Sequence, residues 1–186
     1  MSTKINNTPG PNVSLEPAAR SELPEFCKKL QEAFAVSAEK AFGPSEEPIP
    51  SDQDVWEAFD APGAAVYHVL LDGQKAGGVV LTIDETTQHN HLALFFVFSE
   101  YHSQGIGLAA WQAVETLYPE TKVWETGTPY FEQRNIHFYV NKCGFHIVEF
   151  YNRHHPDPHM PLVEFLAEAD APGGEGFFRF EKVMKQ

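Results

Sequence analysis

A glycine-containing turn between Val97 and Leu108 is the stretch of the sequence best suited to holding an anion. It reads Val-Phe-Ser-Glu-Tyr-His-Ser-Gln-Gly-Ile-Gly-Leu, a hydrophobic strand that ends in a turn and opens directly into an amphipathic helix. Gly105 and Gly107 lack Cβ atoms, so the backbone can approach a bulky ligand closely. The first N–H groups of the following helix have no partner within it and point at whatever lies there. The segment therefore predicts a pyrophosphate-binding turn.

A second segment, Arg134 to Phe145, reads as an amphipathic helix with polar and aromatic side chains that a ligand could contact. It carries Asn135, Phe138 and Tyr139, and Gly144 is placed to cap its C-terminus. Tyr139 also falls in the apolar stripe of the helix, so packing against a core is an alternative interpretation. For Asn135, the alternative is a residue that caps the helix start.

The first turn also matches the G-x-G-x-x-A pattern of dinucleotide-binding domains, through Gly105, Gly107 and Ala110. Glu125 lies twenty residues after Gly105, about where such a domain would carry an acid that binds the ribose. That fold needs a repeated set of parallel strand–helix units. Here an antiparallel meander precedes the turn and one parallel unit follows it, so the topology disfavours a dinucleotide site.

The elements before residue 63 are predicted to be mainly helical. Residues 1–11 are expected to form a mobile leader, and a short extended segment follows over residues 12–16. Apolar residues then recur at helical spacing after a cap at Ser21. A shorter helix starts at Ser51 or Asp52.

From residue 64 onward the pattern predicts a sheet around the two segments. Strands over residues 65–71 and 75–83 are joined by Asp72-Gly73, a strong hairpin signal, so they should be antiparallel neighbours. The nearly unbroken apolar run over residues 91–98 is expected in the middle of the sheet. The helix after the glycine turn and a strand over residues 122–126 complete one right-handed parallel unit.

The remaining elements close the predicted sheet. Thr128-Pro129 is read as a turn or a helix start, followed by the helix of the second segment. Strands are predicted over residues 145–151 and 176–184, with a loop over residues 152–175 between them. The prediction is a single α/β domain over residues 1–186 with a mixed, mostly antiparallel sheet.

The composition excludes several kinds of partner. A chain of 186 residues with 42% hydrophobic residues can bury a substantial core. Its net charge of −13 argues against nucleic acid and anionic membranes, and it would favour a cationic ligand. Cys27 and Cys143 have no paired spacing, so free thiols in the cytoplasm are expected. No apolar run approaches the length of a membrane span.

Two histidine-rich segments, residues 88–91 and 154–159, contain metal-ligand types. Neither has the spacing of a zinc site, so no metal is expected and a solvated loop is favoured for both. Exposed apolar edges could support a homodimer.

Both segments singled out above resemble signature motifs of the GNAT N-acetyltransferases. His102 to Gly107, His-Ser-Gln-Gly-Ile-Gly, is similar to the acyl-CoA pyrophosphate loop of this family, usually Gln/Arg-x-x-Gly-x-Gly/Ala. The run from Arg134 to Phe145 is similar to its second signature, Asn followed by Phe-Tyr and then Gly-Phe. The resemblance implies a GNAT-like fold with a central splayed pair of parallel strands and helices on both faces. His102 occupies the position usually held by Gln or Arg, which predicts weaker or pH-dependent CoA binding.

The resemblance also implies that acetyl-CoA is a co-substrate, with its pantetheine arm between the splayed strands. The residues implied in its binding are Phe96, Val97, Phe98, His102, Ser103, Gln104, Gly105, Ile106, Gly107, Leu108, Asn135, Phe138 and Tyr139. The implied reaction is direct attack of a primary amine, on a small molecule or a peptide, on the thioester.

Tyr139 matches the tyrosine of the family and would protonate the departing thiolate, because a phenol with a pKa of about 10 is close to a thiol. Glu125 and His91 are the candidates for the base, since the third strand carries no carboxylate over Leu-Ala-Leu-Phe-Phe-Val. Deprotonation through ordered water stays open. The alternative function is a GNAT-like module that binds acyl-CoA with weak catalysis.

Overall fold

A seven-stranded sheet with helices on both faces dominates the computed structural model, which describes residues 10–45 and 48–185. The strands are β1 (Val13–Pro17), β2 (Ala64–Leu71), β3 (Gln74–Thr82), β4 (His89–Val97), β5 (Val123–Pro129), β6 (His146–Tyr151) and β7 (Phe177–Val183). The helices are α1 (Leu23–Phe42), α2 (Asp52–Asp60), α3 (Ile106–Leu117), α4 (Gln133–His137) and α5 (Leu162–Asp170). The mobile leader predicted for residues 1–11 falls mostly on residues 1–9, which lie outside the described residues.

The strands lie in the order β1-β2-β3-β4-β5-β7-β6, and β4–β5 is the parallel pair. All other neighbours are antiparallel. The predicted α/β class with a mostly antiparallel sheet is therefore confirmed. Asp72 and Gly73 both have positive φ angles, 50° and 81°, as the tight turn of the β2–β3 hairpin requires.

The parallel strands β4 and β5 separate soon after they meet. Their register covers His89 to His91 of β4 and ends at the pair His91 and Glu125. Just beyond this pair, Thr126 Oγ1 donates to the Leu92 carbonyl at 2.9 Å. From there to Val97, no residue of β4 is paired with β5, and we call this opening the splay. It confirms the divergent central pair implied by the family resemblance.

Each face of the sheet is covered by its own helices. On one face, α3 and the segment after α4 enclose a core whose largest fully buried side chains are Trp111, Trp124, Phe145 and Phe180. On the other face, α1 and α2 pack on β3 and β4. The α2 helix begins with a capping box, since Asp54 N donates to Ser51 Oγ at 3.2 Å. This confirms its predicted start.

Two glycines let β3 lie close to its neighbours. A Cβ atom on Gly77 would lie 2.2 Å from the Phe96 carbonyl oxygen, and one on Gly78 would lie 2.4 Å from the Phe26 ring. Only glycine lets β3 approach β4 and α1 this closely at these positions.

Several local predictions were wrong. The cap of α1 is Glu22 rather than Ser21, because a short 3₁₀ turn precedes the helix. Thr128 and Pro129 do not form a turn, because β5 continues through both and pairs with β7. The stretch predicted as a loop over residues 152–175 contains α5, which buries only Phe165. Its mostly exposed surface explains the weak periodic signal.

Both cysteines are buried free thiols, as predicted. Among the described residues, no helix is both long enough and apolar enough to cross a membrane.

Candidate active site

A cavity of about 170 Å³ lies beyond the point where β4 and β5 stop pairing. Its walls come from α1, the end of β4, the glycine turn and the α4 region. The lining residues are Ala33, Phe34, Val36, Ser37, Phe95, Phe96, Val97, His102, Gly107, Glu132, Arg134, Asn135, Phe138 and Tyr139. Both segments that the sequence singled out therefore meet at one cavity, although they are separated by α3 and β5.

The glycine turn has the conformation expected of an anion site. Gly105 is the N-cap of α3 with a φ of 78°, and a Cβ atom there would meet nothing within 4 Å. The cap has no side chain that could accept from the first helical turn, so those N–H groups stay open to a ligand. A Cβ atom on Gly107 would lie 3.3 Å from the Phe138 ring, which lines the same cavity. The turn thus presents backbone donors beside an aromatic wall.

The end of β4 presents one carbonyl to the splay. Phe98 N donates to Ala76 O of β3 at 2.8 Å. Because the carbonyl of one residue and the N–H of the next point to opposite sides of a strand, the Val97 carbonyl faces away from β3. Among the expected strand contacts, Phe96 and Val97 line the cavity, whereas the Phe98 amide is already paired within the sheet.

The His102 side chain extends from the glycine turn to this carbonyl. Its Nε2 lies 2.8 Å from Val97 O, and its Nδ1 lies 2.7 Å from Arg134 Nη1. In this structure the His102 side chain therefore bridges β4 and α4. Ser103 and Gln104 belong to the same turn, and Gln104 Nε2 donates to the Glu100 carbonyl at 2.9 Å.

Tyr139 lies in a π-helical turn, Phe138–Cys143, that continues α4. Such turns are uncommon and are often found at functional sites. Its ring packs against Phe145 and Phe180, with centroids 5.7 and 5.6 Å away. The side chain is buried in the core, as the packing interpretation predicts, and it also borders the cavity. Its functional role stays a prediction.

The surroundings of Tyr139 keep its hydroxyl protonated. Burial raises the pKa of this phenol, and the nearby Cys143 and Glu132 act in the same direction. Hydrogen bonding with the Thr126 side chain partly opposes the rise in pKa. A neutral phenol at the edge of a cavity can donate a proton to a strongly basic leaving group.

The two candidate bases lie at the closed end of the splay. His91 of β4 and Glu125 of β5 are register partners, and neither lines the cavity. Desolvation lowers the pKa of His91, while Glu125 opposes that shift. Glu125 itself pairs with Arg179 Nη1 at 3.1 Å. The structure brings the two together but does not bring them to Tyr139.

Sequence analysis missed a carboxyl group that does line the cavity. Glu132 is 6% exposed, and Ser37 Oγ of α1 donates to its Oε1 at 2.6 Å. The two residues are 95 positions apart, and Glu132 falls in a turn without periodic pattern, so no local signal joins them. Arg134, at the start of the second segment, also lines the cavity. Asn135 also lines the cavity and is half-buried.

Comparison with known proteins identifies related sequences and folds. Residues 27–145 match the sequence profile of the Acetyltransferase (GNAT) family. The chain is 60% identical over 177 residues to Uncharacterized protein YrkN of Bacillus subtilis (strain 168), a match that covers 95% of this chain and 96% of that protein.

Solved structures of low sequence identity share the fold. One is an IAA acetyltransferase from Bacillus cereus ATCC 14579, with a TM-score of 0.64 and 16% identity over 92% of this chain and 99% of that chain. Another is a GNAT family acetyltransferase from Elizabethkingia anophelis with acetyl-CoA bound, with a TM-score of 0.64 and 15% identity over 93% of this chain and 99% of that chain.

Proposed function

Because this chain belongs to the GNAT acetyltransferase family, we propose that it transfers an acetyl group from acetyl-CoA to a primary amine of a small molecule or peptide. The observation that carries the proposal is one cavity that is lined both by Gly107 of the open glycine turn and by the buried Tyr139.

The described residues fit acetyl-CoA as a co-substrate. The open N–H groups of the first turn of α3 would hold its pyrophosphate, helped by the positive end of the helix dipole. Arg134 lies beside this turn through its contact with His102 and would add a positive charge. Phe138 and Phe95, with ring centroids 5.8 Å apart, form the wall against which the arm would lie. The bound co-substrate supplies an activated thioester carbonyl.

Tyr139 is the proton donor in this proposal. The amine nitrogen forms a bond to the carbonyl carbon, the carbon–sulfur bond breaks, and the sulfur takes the proton of the Tyr139 hydroxyl. A raised pKa suits this role, because the phenol stays protonated until the basic thiolate develops. The phenol regains its proton from solvent, and the attacking nitrogen releases one.

His91 and Glu125 remain the sequence-derived candidates for taking that proton. Because neither lines the cavity, either would act through an ordered water chain. His91 is the better suited, since its lowered pKa leaves the imidazole neutral near pH 7 and Glu125 is engaged with Arg179. We expect substitution of Glu125 to affect turnover less than substitution of His91.

The test is release of free CoA thiol from acetyl-CoA with a panel of primary amines. The proposal expects at least one amine to raise thiol release well above hydrolysis, with mass spectrometry showing the acetylated amine. Calorimetric titration with CoA runs in parallel. CoA binding without turnover for any amine would overturn the transferase proposal and favour the acyl-CoA-binding module. The observation that favours that second function is that neither His91 nor Glu125 is among the described residues lining the cavity, so the candidate bases lie away from the proposed thioester site.

A further inference from the structure

Glu132 is a buried carboxyl group that has no cationic partner in the described part of the chain. It is 6% exposed, and the hydroxyl of Ser37 is its side-chain hydrogen-bond donor. Among the described residues, no Lys, Arg or His nitrogen lies within salt-bridge distance of it. A buried carboxylate is costly unless a positive charge compensates it. Since Glu132 lines the cavity, a ligand can supply that charge.

Glu132 is held at the wall of the cavity that α1 forms. Its partner Ser37 belongs to α1, across the cavity from the glycine turn and Arg134. Burial is the main cause of the raised pKa of Tyr139, and Glu132 adds to it, so the carboxylate lies within electrostatic reach of the phenol.

The wall around the Ser37–Glu132 pair is apolar. Ala33, Phe34 and Val36 of α1 line this side of the cavity. The cationic lining residue Arg134 contacts His102, next to the proposed pyrophosphate turn. An acceptor carboxylate on the α1 side would therefore meet Glu132 and apolar side chains, and none of the described lining residues on that side is a cation that could bind it.

We infer that Glu132, held by Ser37, binds the ammonium group of the acceptor and that this acceptor is an apolar primary amine without a neighbouring carboxylate. The inference rests on the proposed function and deepens it by naming the substrate class. The ammonium group pairs with Glu132, and the apolar substituent lies against α1. Before attack, the nitrogen loses one proton through ordered water to the base proposed above, so the neutral amine forms the bond to the carbonyl carbon. The positive charge compensates the carboxylate that the fold leaves uncompensated.

The experiment measures acceptor kinetics with phenethylamine and leucinamide as apolar amines, and with ethanolamine and leucine as comparisons. The two apolar amines are expected to have the higher kcat/KM, because ethanolamine lacks the apolar part and leucine adds a carboxylate. Leucine or ethanolamine matching phenethylamine would overturn the assigned substrate class.

Glu132→Gln tests the binding role. The amide keeps the size and can still accept from Ser37, but it loses the charge. The KM for phenethylamine is expected to rise roughly 10- to 100-fold, the loss of one charge-assisted hydrogen bond, while the Kd for CoA stays unchanged. Ser37→Ala should raise the same KM by a smaller factor. Glu39→Gln, which removes an exposed carboxylate from α1, the helix that carries Ser37, is the matched control.

A second readout separates this inference from the proposed function. Phenethylamine should raise the Tm of the wild-type protein in the absence of CoA, and the shift should disappear in Glu132→Gln. If no amine is acetylated but this pattern holds, the transferase proposal fails and the binding site stands. If amines are acetylated with an unchanged KM in Glu132→Gln, the inference alone fails. Should that variant not fold, Glu132→Asp and Ser37→Ala are measured, and an unchanged KM in both overturns it.

Discussion

The imidazole of His102 donates from Nε2 to the carbonyl oxygen of Val97 across 2.8 Å. A carbonyl can only accept and a guanidinium can only donate, so Nδ1 must accept from Arg134 and the ring is the neutral Nε2–H tautomer. The bridge ties the glycine turn to β4 and α4. It also occupies a carbonyl that faces the splay, where the pantetheine arm is proposed to lie.

Replacing His102 is therefore expected to tighten CoA binding. In His102→Gln the Val97 carbonyl is released, and the side chain becomes one that the family resemblance gives as usual at this position. In the wild type, the hydrogen bond between His102 and Val97 must break before the carbonyl can bind CoA, which costs about 0.5–1.5 kcal/mol. Because the variant does not have this cost, its Kd for CoA should be roughly 2- to 10-fold lower. Calorimetric titration measures it, with His146→Gln on the exposed edge strand as the control. A weaker affinity would mean that the imidazole itself contacts the co-substrate.

Much of the fold follows from short-range signals in the sequence. Asp72-Gly73 specifies a hairpin, and Gly144 ends its helix with a φ of 79° because glycine adopts this conformation at little cost. The glycine turn at Gly105 was predictable for the same reason. Each of these features depends on a few neighbouring residues.

Features that depend on distant contacts could not be predicted from such signals. Ser37 and Glu132 meet only because α1 contacts the turn that follows β5, where Phe42 also packs on Phe131, and nothing local marks either as functional. The contact of His102 with Val97 requires knowing which carbonyl of β4 is unpaired. The π-helical turn at Tyr139 inserts one residue into a helical pattern that otherwise reads as regular.

The close approach at Gly77 predicts a strong destabilisation by a single methyl group. In Gly77→Ala the new Cβ atom would lie 2.2 Å from the Phe96 carbonyl oxygen, so β3 or β4 must shift. We expect a loss of about 1–3 kcal/mol in the free energy of unfolding, the usual cost of overpacking. Because Phe96 lines the cavity, CoA affinity should fall as well.

Urea denaturation measures the stability change, and Gly10→Ala is its control, since a Cβ atom there meets nothing within 4 Å. If Gly77→Ala has the same urea midpoint as the wild type, β3 and β4 can move apart at no cost in stability.

The surroundings of Glu22 predict a pH dependence of stability at acid pH. Lys75 Nζ donates to this carboxylate at 2.6 Å and Ala19 N at 2.9 Å, and these bonds lower its pKa to about 2. In the unfolded chain the value is about 4.3. Because the pKa of Glu22 is lower in the folded protein than in the unfolded chain, its contribution to stability is fully present at pH values above the unfolded pKa. That contribution is lost as the pH falls toward 2.

The thermal midpoints of wild type and Glu22→Gln should therefore differ most above about pH 5 and converge as the pH falls toward 2. Thermal melts followed by circular dichroism between these limits measure the difference. Glu120→Gln, which removes an exposed carboxylate after α3, controls for the change in net charge. A difference that is constant with pH would contradict the assigned contacts.

Tyr139→Phe separates the catalytic role of this residue from its packing role. The ring contacts with Phe145 and Phe180 are kept, so stability and the Kd for CoA should change little. The lost hydroxyl is the proposed proton donor, and kcat should fall roughly 10²- to 10⁴-fold. Burial raises the pKa of this phenol above its usual value, so in the wild type its ionisation should not reduce turnover at any pH up to about 10.

Tyr118→Phe is the matched control for that experiment. Burial also raises the pKa of Tyr118, but its hydroxyl pairs with Tyr67 at 2.6 Å and lies outside the cavity lining. If Tyr139 only packs, Tyr139→Phe should behave like Tyr118→Phe, with a small loss of stability and a wild-type kcat. Turnover that survives in Tyr139→Phe would leave the thiolate to be protonated by solvent. A fall in kcat that is confined to Tyr139→Phe would identify the Tyr139 hydroxyl as the proton donor, since burial and phenol chemistry are common to both residues.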